Sequence, residues 1–325
     1  MDWDPIMLRL TLLALLLITG IACDDNPTSP SSGFTLTCAP AVTVQTTTSE
    51  ARVTYADPTA SGGQPPITVA CMPVSGSSFP VGVTIVTCQA TDARSQAVIC
   101  RTAVTVMRLP TLEDTRFLAF GDSITAGEVT VPIGTTMDAP MFHPLVVVPS
   151  ASYPSRLLPQ LQARYATQAG QIAMVTEGRP AESAASGVSR LGQVLANGNH
   201  QVLLLLHGYN DLLGSGAAAI PRVSRALDDM AREGRARGLA VYLAQLTPPI
   251  PGRQRSIPDG VIRQMNDEVR VIAAGEGAEL VDLYTALAAD VNRYIGVDGL
   301  HPTEAGYARM ADEFFARIRA TLEAH

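Results

Sequence analysis

A chain of 325 residues with a formal net charge of −7 is long enough to bury a sizeable core, as one large domain or two ordinary ones. Its 23 basic residues are all arginine and are scattered singly, with no basic stripe, which leaves nucleic-acid binding with little support. Aromatic residues make up only 5% of the chain, with Trp3 the lone tryptophan, which argues against a large stacking surface as well.

In chain order, the first feature has the layout of an export signal. Arg9 precedes the apolar run "LTLLALLLI", Leu10 to Ile18, and then "TGIAC" ends at Cys23. The run is shorter than the roughly 20 apolar residues that span a bilayer. A start at Met7 would remove Asp2 and Asp4 from a region that such signals keep positive. Small residues before a cysteine resemble a bacterial lipoprotein signal, with Gly20 standing where that motif prefers Leu. That resemblance implies lipidation at Cys23 and an exported protein anchored to a membrane, facing the periplasm or the cell surface. An ordinary secretory signal or a short anchor is the other reading. Residues 1–23 are thus expected to be the signal, and the Pro- and Ser-rich 24–33 a flexible tether.

Residues 34–107 alternate like short strands and hold Cys38, Cys71, Cys88 and Cys100. An even set in an exported chain points to two disulfides, with Cys23 left over as the lipid site. Four cysteines allow three pairings. Val86, Cys88 and Ala90 share one face of "VGVTIVTCQATD", as do Val98, Cys100, Val104 and Val106 of "AVICRTAVTV". A hairpin folded about Arg94 sets Cys88 opposite Cys100, within disulfide reach. The expected pairs are Cys88–Cys100 and, by elimination, Cys38–Cys71. The run "CMPVSGSSFPVGVTIVTCQATDARSQAVIC" resembles the hyalin-repeat (HYR) module. That resemblance implies a small immunoglobulin-like β-sandwich used in adhesion or as a spacer.

After a linker at 108–115 the pattern changes. Apolar runs suited to buried parallel strands occur at Phe117–Phe120, Ile172–Val175, Val202–Leu206, Ala240–Leu246 and Glu279–Val281, with helical periodicity between them. The alternation predicts an α/β fold over 116–325, one parallel sheet with helices on both faces. Ligands of such sheets sit beyond the carboxyl ends of the strands. Those positions hold Gly121-Asp122-Ser123, then "TEGRPAES" (Thr176 to Ser183), then "HGYND" (His207 to Asp211) and, past the fifth run, "DGLHP" (Asp298 to Pro302). A serine hydroxyl needs a base near neutrality, and His301, with Asp298 three residues before it, has the spacing for base and orienting acid.

"FGDSITAGE", "GYND" and "DGLHP", in this order, resemble the SGNH hydrolases, the GDSL family of esterases and lipases, over about residues 115 to 323. The resemblance implies a flavodoxin-like three-layer α/β/α sandwich with a five-stranded parallel sheet. It makes Ser123 the nucleophile, Asp298 and His301 the other triad members, and the N–H of Ser123 and the side chain of Asn210 oxyanion donors. The third donor falls on Ala181, where the family has glycine; Gly178 is a second candidate in a poorer register. If the position needs a positive φ, alanine there is strained. No metal or cofactor is implied, because the acids and histidines lack metal spacing, and the resemblance implies an ester of a small molecule, polysaccharide or lipid as substrate. Acetylated polysaccharide, lysophospholipid, thioester and aryl ester all fit.

Each residue also has a plainer role. Ser123 could cap a helix, Asn210 could make a turn, and His301 could precede a helix capped by Thr303. Asp122 and Asp211 are expected to order loops, and His143 and His207 to be structural. Tyr153 and Tyr209 either line the site or pack. Val129–Ser152 is long enough for a lid, and Thr247–Pro258, with Arg253 and Arg255, is a second rim. The rival to an exported ester hydrolase is a surface adhesion lipoprotein whose hydrolase domain is impaired, suggested by the HYR-like module and Ala181.

Overall fold

The structure, a computed structural model, describes residues 33–130 and 144–324. The signal, tether and Cys23 readings, His143 and much of the 129–152 loop lie outside the described residues. Among those described, no helix is long and apolar enough to cross a membrane. The chain divides into two compact units, one built of strands up to Met107 and one from Arg108 onward, with Gln45–Ser49 counting with the second.

The N-terminal unit holds a four-stranded sheet in the order Val42–Thr46, Ala97–Arg108, Gly82–Thr91, Thr68–Met72, the last three of these strands antiparallel. Two short pairs accompany it, Thr35–Thr37 with Thr59–Ser61 and Glu50–Arg52 with Ser78–Pro80. Alternation buries one residue in two: Val86, Cys88, Val104 and Val106 meet Val53, Tyr55 and Phe79 in its core. Asp92 closes the long hairpin, its Oδ1 accepting from the N–H groups of Arg94 and Gln96, both at 2.9 Å.

The expected register is present, with Cys88 directly opposite Cys100. The expected disulfides are not: Cys38 bonds Cys100 and Cys71 bonds Cys88. The Cys88 strand is an inner one, so Cys88 also lies directly opposite Cys71 on its other side. The sulfurs of Cys38, Cys88 and Cys100 all lie within 4.8 Å of one another. A hairpin considered alone shows one neighbour of Cys88, and the sheet supplies two.

In the second unit a five-stranded parallel sheet is built from β1 (Arg116–Gly121), β2 (Ala173–Gly178), β3 (Val202–Leu206), β4 (Ala240–Ala244) and β5 (Glu279–Val281). Their order is β2-β1-β3-β4-β5, the flavodoxin-like arrangement. All five residues of β3 are buried, which explains why it reads as an unbroken apolar run. Helix Tyr153–Arg164 packs on Glu304–Leu322, and Ile220–Ala236 packs on both Ala184–Asn197 and Asp259–Glu276, giving the two outer layers. Pro159 lies inside the first of these helices. The 108–115 segment is docked on this unit: Leu112 is buried in its core and its N–H donates to Gln168 Oε1 at 2.7 Å.

Three strands end at one level. Gly121 is in register with Gly178 on one side and Leu206 on the other. A Cβ at Gly121 would stand 2.0 Å from the Leu206 carbonyl oxygen, and one at Gly178 would stand 2.1 Å from the Ala126 nitrogen. Both glycines permit the close approach that brings the strand-end loops together.

Candidate active site

Ser123 opens the four-residue helix Ser123–Ala126 directly after β1. The cap is Asp122, whose Oδ1 accepts from the Ile124 N–H at 3.2 Å. With capping done by its neighbour, the Ser123 hydroxyl bonds His301 Nε2 at 2.9 Å. On the other side of the ring His301 Nδ1 lies 2.7 Å from Asp298 Oδ2. The remaining oxygen of Asp298 accepts from the N–H groups of Leu300 and His301, each at 3.1 Å, so the acid is fixed by the turn it begins. Gly299, at φ +88, makes that turn possible. Thr303 then caps Glu304–Leu322, as its position suggested.

All three side chains are buried. Burial alone would raise the Asp298 carboxyl, but the hydrogen bond from His301 and those from the backbone hold it below the usual range. Burial opposes the His301 imidazolium; the hydrogen bonds to Asp298 and then to Glu128 outweigh it and push the imidazole up to about 9. Glu128 is the unexpected member, its Oε2 lying 3.3 Å from His301 Nε2.

The second and third strand-end loops meet beside the serine. The Arg179 N–H donates to the Gly121 carbonyl at 3.0 Å, tying the turn after β2 to the end of β1. Ala181 sits in this turn at φ +60, the conformation in which alanine is strained and glycine is not. Gly178, the other candidate donor, lies within β2 against the Ser123 helix. Asn210, in the first turn of helix Tyr209–Ser215, donates its Nδ2 to the carbonyl of Glu182 at 3.0 Å. The amide is thereby held against the residue that follows Ala181. Asp211 Oδ2 accepts from the Ala184 N–H at 2.8 Å, and so orders the start of Ala184–Asn197.

Beneath this turn lies a buried ionic cluster. Arg190 Nη2 and Nε both reach the Glu182 carboxylate, at 2.6 and 2.8 Å, and Nη2 also reaches the Gly121 carbonyl at 3.1 Å. The guanidinium lies over the Phe120 ring, 3.9 Å from its centroid. His207 Nε2 contacts Glu182 Oε2 at 3.2 Å, while its Nδ1 stands 3.8 Å from Asp122 Oδ2. Burial would raise the Glu182 carboxyl, but the hydrogen bonds of His207 and Arg190 hold it at about 2. His207 therefore braces two loops from below. Tyr209 and Tyr153 are buried too, the first bonded to Thr247 at 3.0 Å and the second stacked on Phe314 at 4.8 Å. Of the arginines on the second rim, Arg255 places Nη1 3.7 Å from Asp298 Oδ2.

Sequence reasoning did not single out Glu128, Glu182 or Arg190. Glu182 lies in the turn before helix Ala184–Asn197 and Arg190 within it, so no helical spacing in the sequence links the two.

Two family models match the chain: the HYR domain over residues 34–106 and the GDSL-like Lipase/Acylhydrolase family over residues 119–309. No curated protein matches it. Among solved structures, it is similar to LAE5, an alpha/beta hydrolase enzyme from the metagenome of Lake Arreo, Spain. That match has a TM-score of 0.50 and 18% identity, covering 64% of this chain and 96% of that one. The lipase/acylhydrolase from Enterococcus faecalis matches at TM-score 0.49 and 21% identity, over 64% and 97% of the two chains. Est24, a carbohydrate acetylesterase from Sinorhizobium meliloti, matches at 0.48 and 15%, over 63% and 99%. At such identities a structural likeness speaks for the fold alone. The family match spans more than half of the sequence and contains Ser123, Ala181, Asn210, Asp298 and His301, so the chain belongs to the GDSL-like lipase/acylhydrolase family.

Proposed function

We propose that the second unit hydrolyses carboxylic esters through an acyl-enzyme on Ser123. The observation that carries this reading is the unbroken chain from Ser123 Oγ to His301 at 2.9 Å and from His301 to Asp298 at 2.7 Å. Ser123 Oγ attacks the carbonyl carbon while His301 Nε2 takes the hydroxyl proton, and Asp298 stabilises the imidazolium. The oxygen that gains negative charge is met by the N–H groups of Ser123 and Ala181 and by Asn210 Nδ2. Collapse breaks the ester C–O bond, and the departing alkoxide takes the proton from His301. A water, deprotonated by the same nitrogen, then attacks the acyl carbon and frees Ser123.

The substrate is an ester of a small molecule, a polysaccharide or a lipid. Export fits the two disulfides of the N-terminal unit, which persist in oxidising compartments. Within this proposal Cys23 carries the lipid that anchors the protein to a membrane.

The test is hydrolysis of short p-nitrophenyl esters by the wild type and by Ser123→Ala. Turnover in the first and a loss of at least about 10³-fold in the second supports the reading. Equal rates, or none in the wild type across graded chain lengths and sugar esters, refute it and favour the adhesion role.

A further inference from the structure

The reaction as written leaves Glu128 without a task. Gly127, at φ +87, ends the Ser123 helix and turns the chain so that Glu128 begins the strand Glu128–Thr130. The Glu128 backbone is pinned from the closing helix, where the Tyr307 hydroxyl donates to its carbonyl at 2.7 Å. Its carboxylate, only 15% exposed, stands 3.3 Å from His301 Nε2, the nitrogen that also meets Ser123 Oγ at 2.9 Å. Two groups thus compete for one ring position.

A neutral imidazole that donates Nδ1–H to Asp298 turns a lone pair outward on Nε2. A carboxylate beside that lone pair is repelled. Once Nε2 carries a proton, the same carboxylate becomes an acceptor within charge-assisted reach. Glu128 therefore distinguishes the two states of the base, and favours the one that exists after serine has given up its proton.

We propose that Glu128 is a positioning residue acting through His301: its carboxylate, 3.3 Å from Nε2, holds on that nitrogen the proton taken from Ser123. The inference rests on the ester-hydrolase reading of the same site. The other charges around the ring do not undo it. Asp298 faces Nδ1, and Asp122 adds a further carboxylate within electrostatic reach. The Arg255 guanidinium, 3.7 Å from Asp298 Oδ2, works in the opposite direction. Tyr307 is buried and kept neutral, its hydroxyl raised well above the ordinary range by burial and by these acids. Contact with two carboxylates outweighs burial and the single guanidinium, which is why His301 is pushed up to about 9.

The experiment compares wild type, Glu128→Gln and Glu128→Asp in two ways. One is the pH profile of kcat/KM on a short p-nitrophenyl ester. The other is the titration of the His301 imidazole followed by NMR in histidine-labelled protein, with His301→Ala for assignment. In the wild type both rise or titrate near pH 9. In Glu128→Gln both move down by at least about one pH unit, raising kcat/KM at pH 7 about tenfold. Glu128→Asp, which keeps the charge on a shorter arm, lies between them. Profiles and titrations that stay in place in Glu128→Gln overturn the proposal. Absence of turnover in the wild type would count against the hydrolase reading instead, and the imidazole titration would still decide the part of Glu128.

Discussion

Ala181 shows how a single side chain can carry a cost that its neighbours tolerate. Its left-handed conformation costs an L-residue about 1–2 kcal/mol, and glycine would avoid this while losing more chain entropy on folding. Ala181→Gly is therefore expected to stabilise the second unit by about 0.5–1 kcal/mol in urea unfolding, with kcat little changed. A destabilised glycine variant would mean that the turn is not strained. In the proposed reaction Asn210 bears on rate instead. Asn210→Ala is expected to lower kcat by about 10²–10³ with a much smaller change in KM, because the amide meets charge that develops only in the transition state. Ser123 was legible because it directly follows a strand, and Asp298 and His301 because they stand three residues apart in one motif past the last strand. Glu128 was not, because its contact with His301 joins residues 173 positions apart in sequence and depends on the turn at Gly127.

Between elements, the turn after β2, helix Ala184–Asn197 and the end of β3 are fastened by Glu182, Arg190 and His207. Removing the carboxylate leaves a buried guanidinium short of its main partner, so Glu182→Gln should cost about 3–5 kcal/mol. The pH dependence has a definite sign. The Glu182 carboxyl is held at about 2 against an ordinary 4.5, so its contribution is full above about pH 4.5 and is lost as pH falls toward 2. Stability measured between pH 6 and pH 3 should fall more steeply in the wild type than in Glu182→Gln; equal slopes would contradict this role. The β2-β1-β3-β4-β5 elements themselves were legible from apolar runs and helical periodicity. The brace beneath them was not, because a lone histidine after a strand carries no pattern that names its partners. The N-terminal sheet gives the same lesson from the other side. Alternation fixed which face Cys88 shares and which residue lies opposite it. The disulfide partner depended on a third strand that a hairpin argument does not contain.

At the scale of the whole molecule, chemistry and cross-links are segregated. Both disulfides lie in the N-terminal unit, and the second unit contains no cysteine. Reduction should therefore lower the unfolding temperature of the N-terminal unit alone, each lost cross-link costing about 2–5 kcal/mol. Ester hydrolysis by the intact chain should survive the reductant. Calorimetry with and without dithiothreitol, alongside an ester assay, checks both halves; a matching loss of activity would contradict the separation. The most direct test of the central claim is mass spectrometry of the folded protein after reaction with a fluorophosphonate. The account predicts a single phosphonyl adduct on the peptide containing Ser123, formed faster as pH rises toward about 9 and absent in His301→Ala. An unmodified Ser123 in protein that is folded would contradict it.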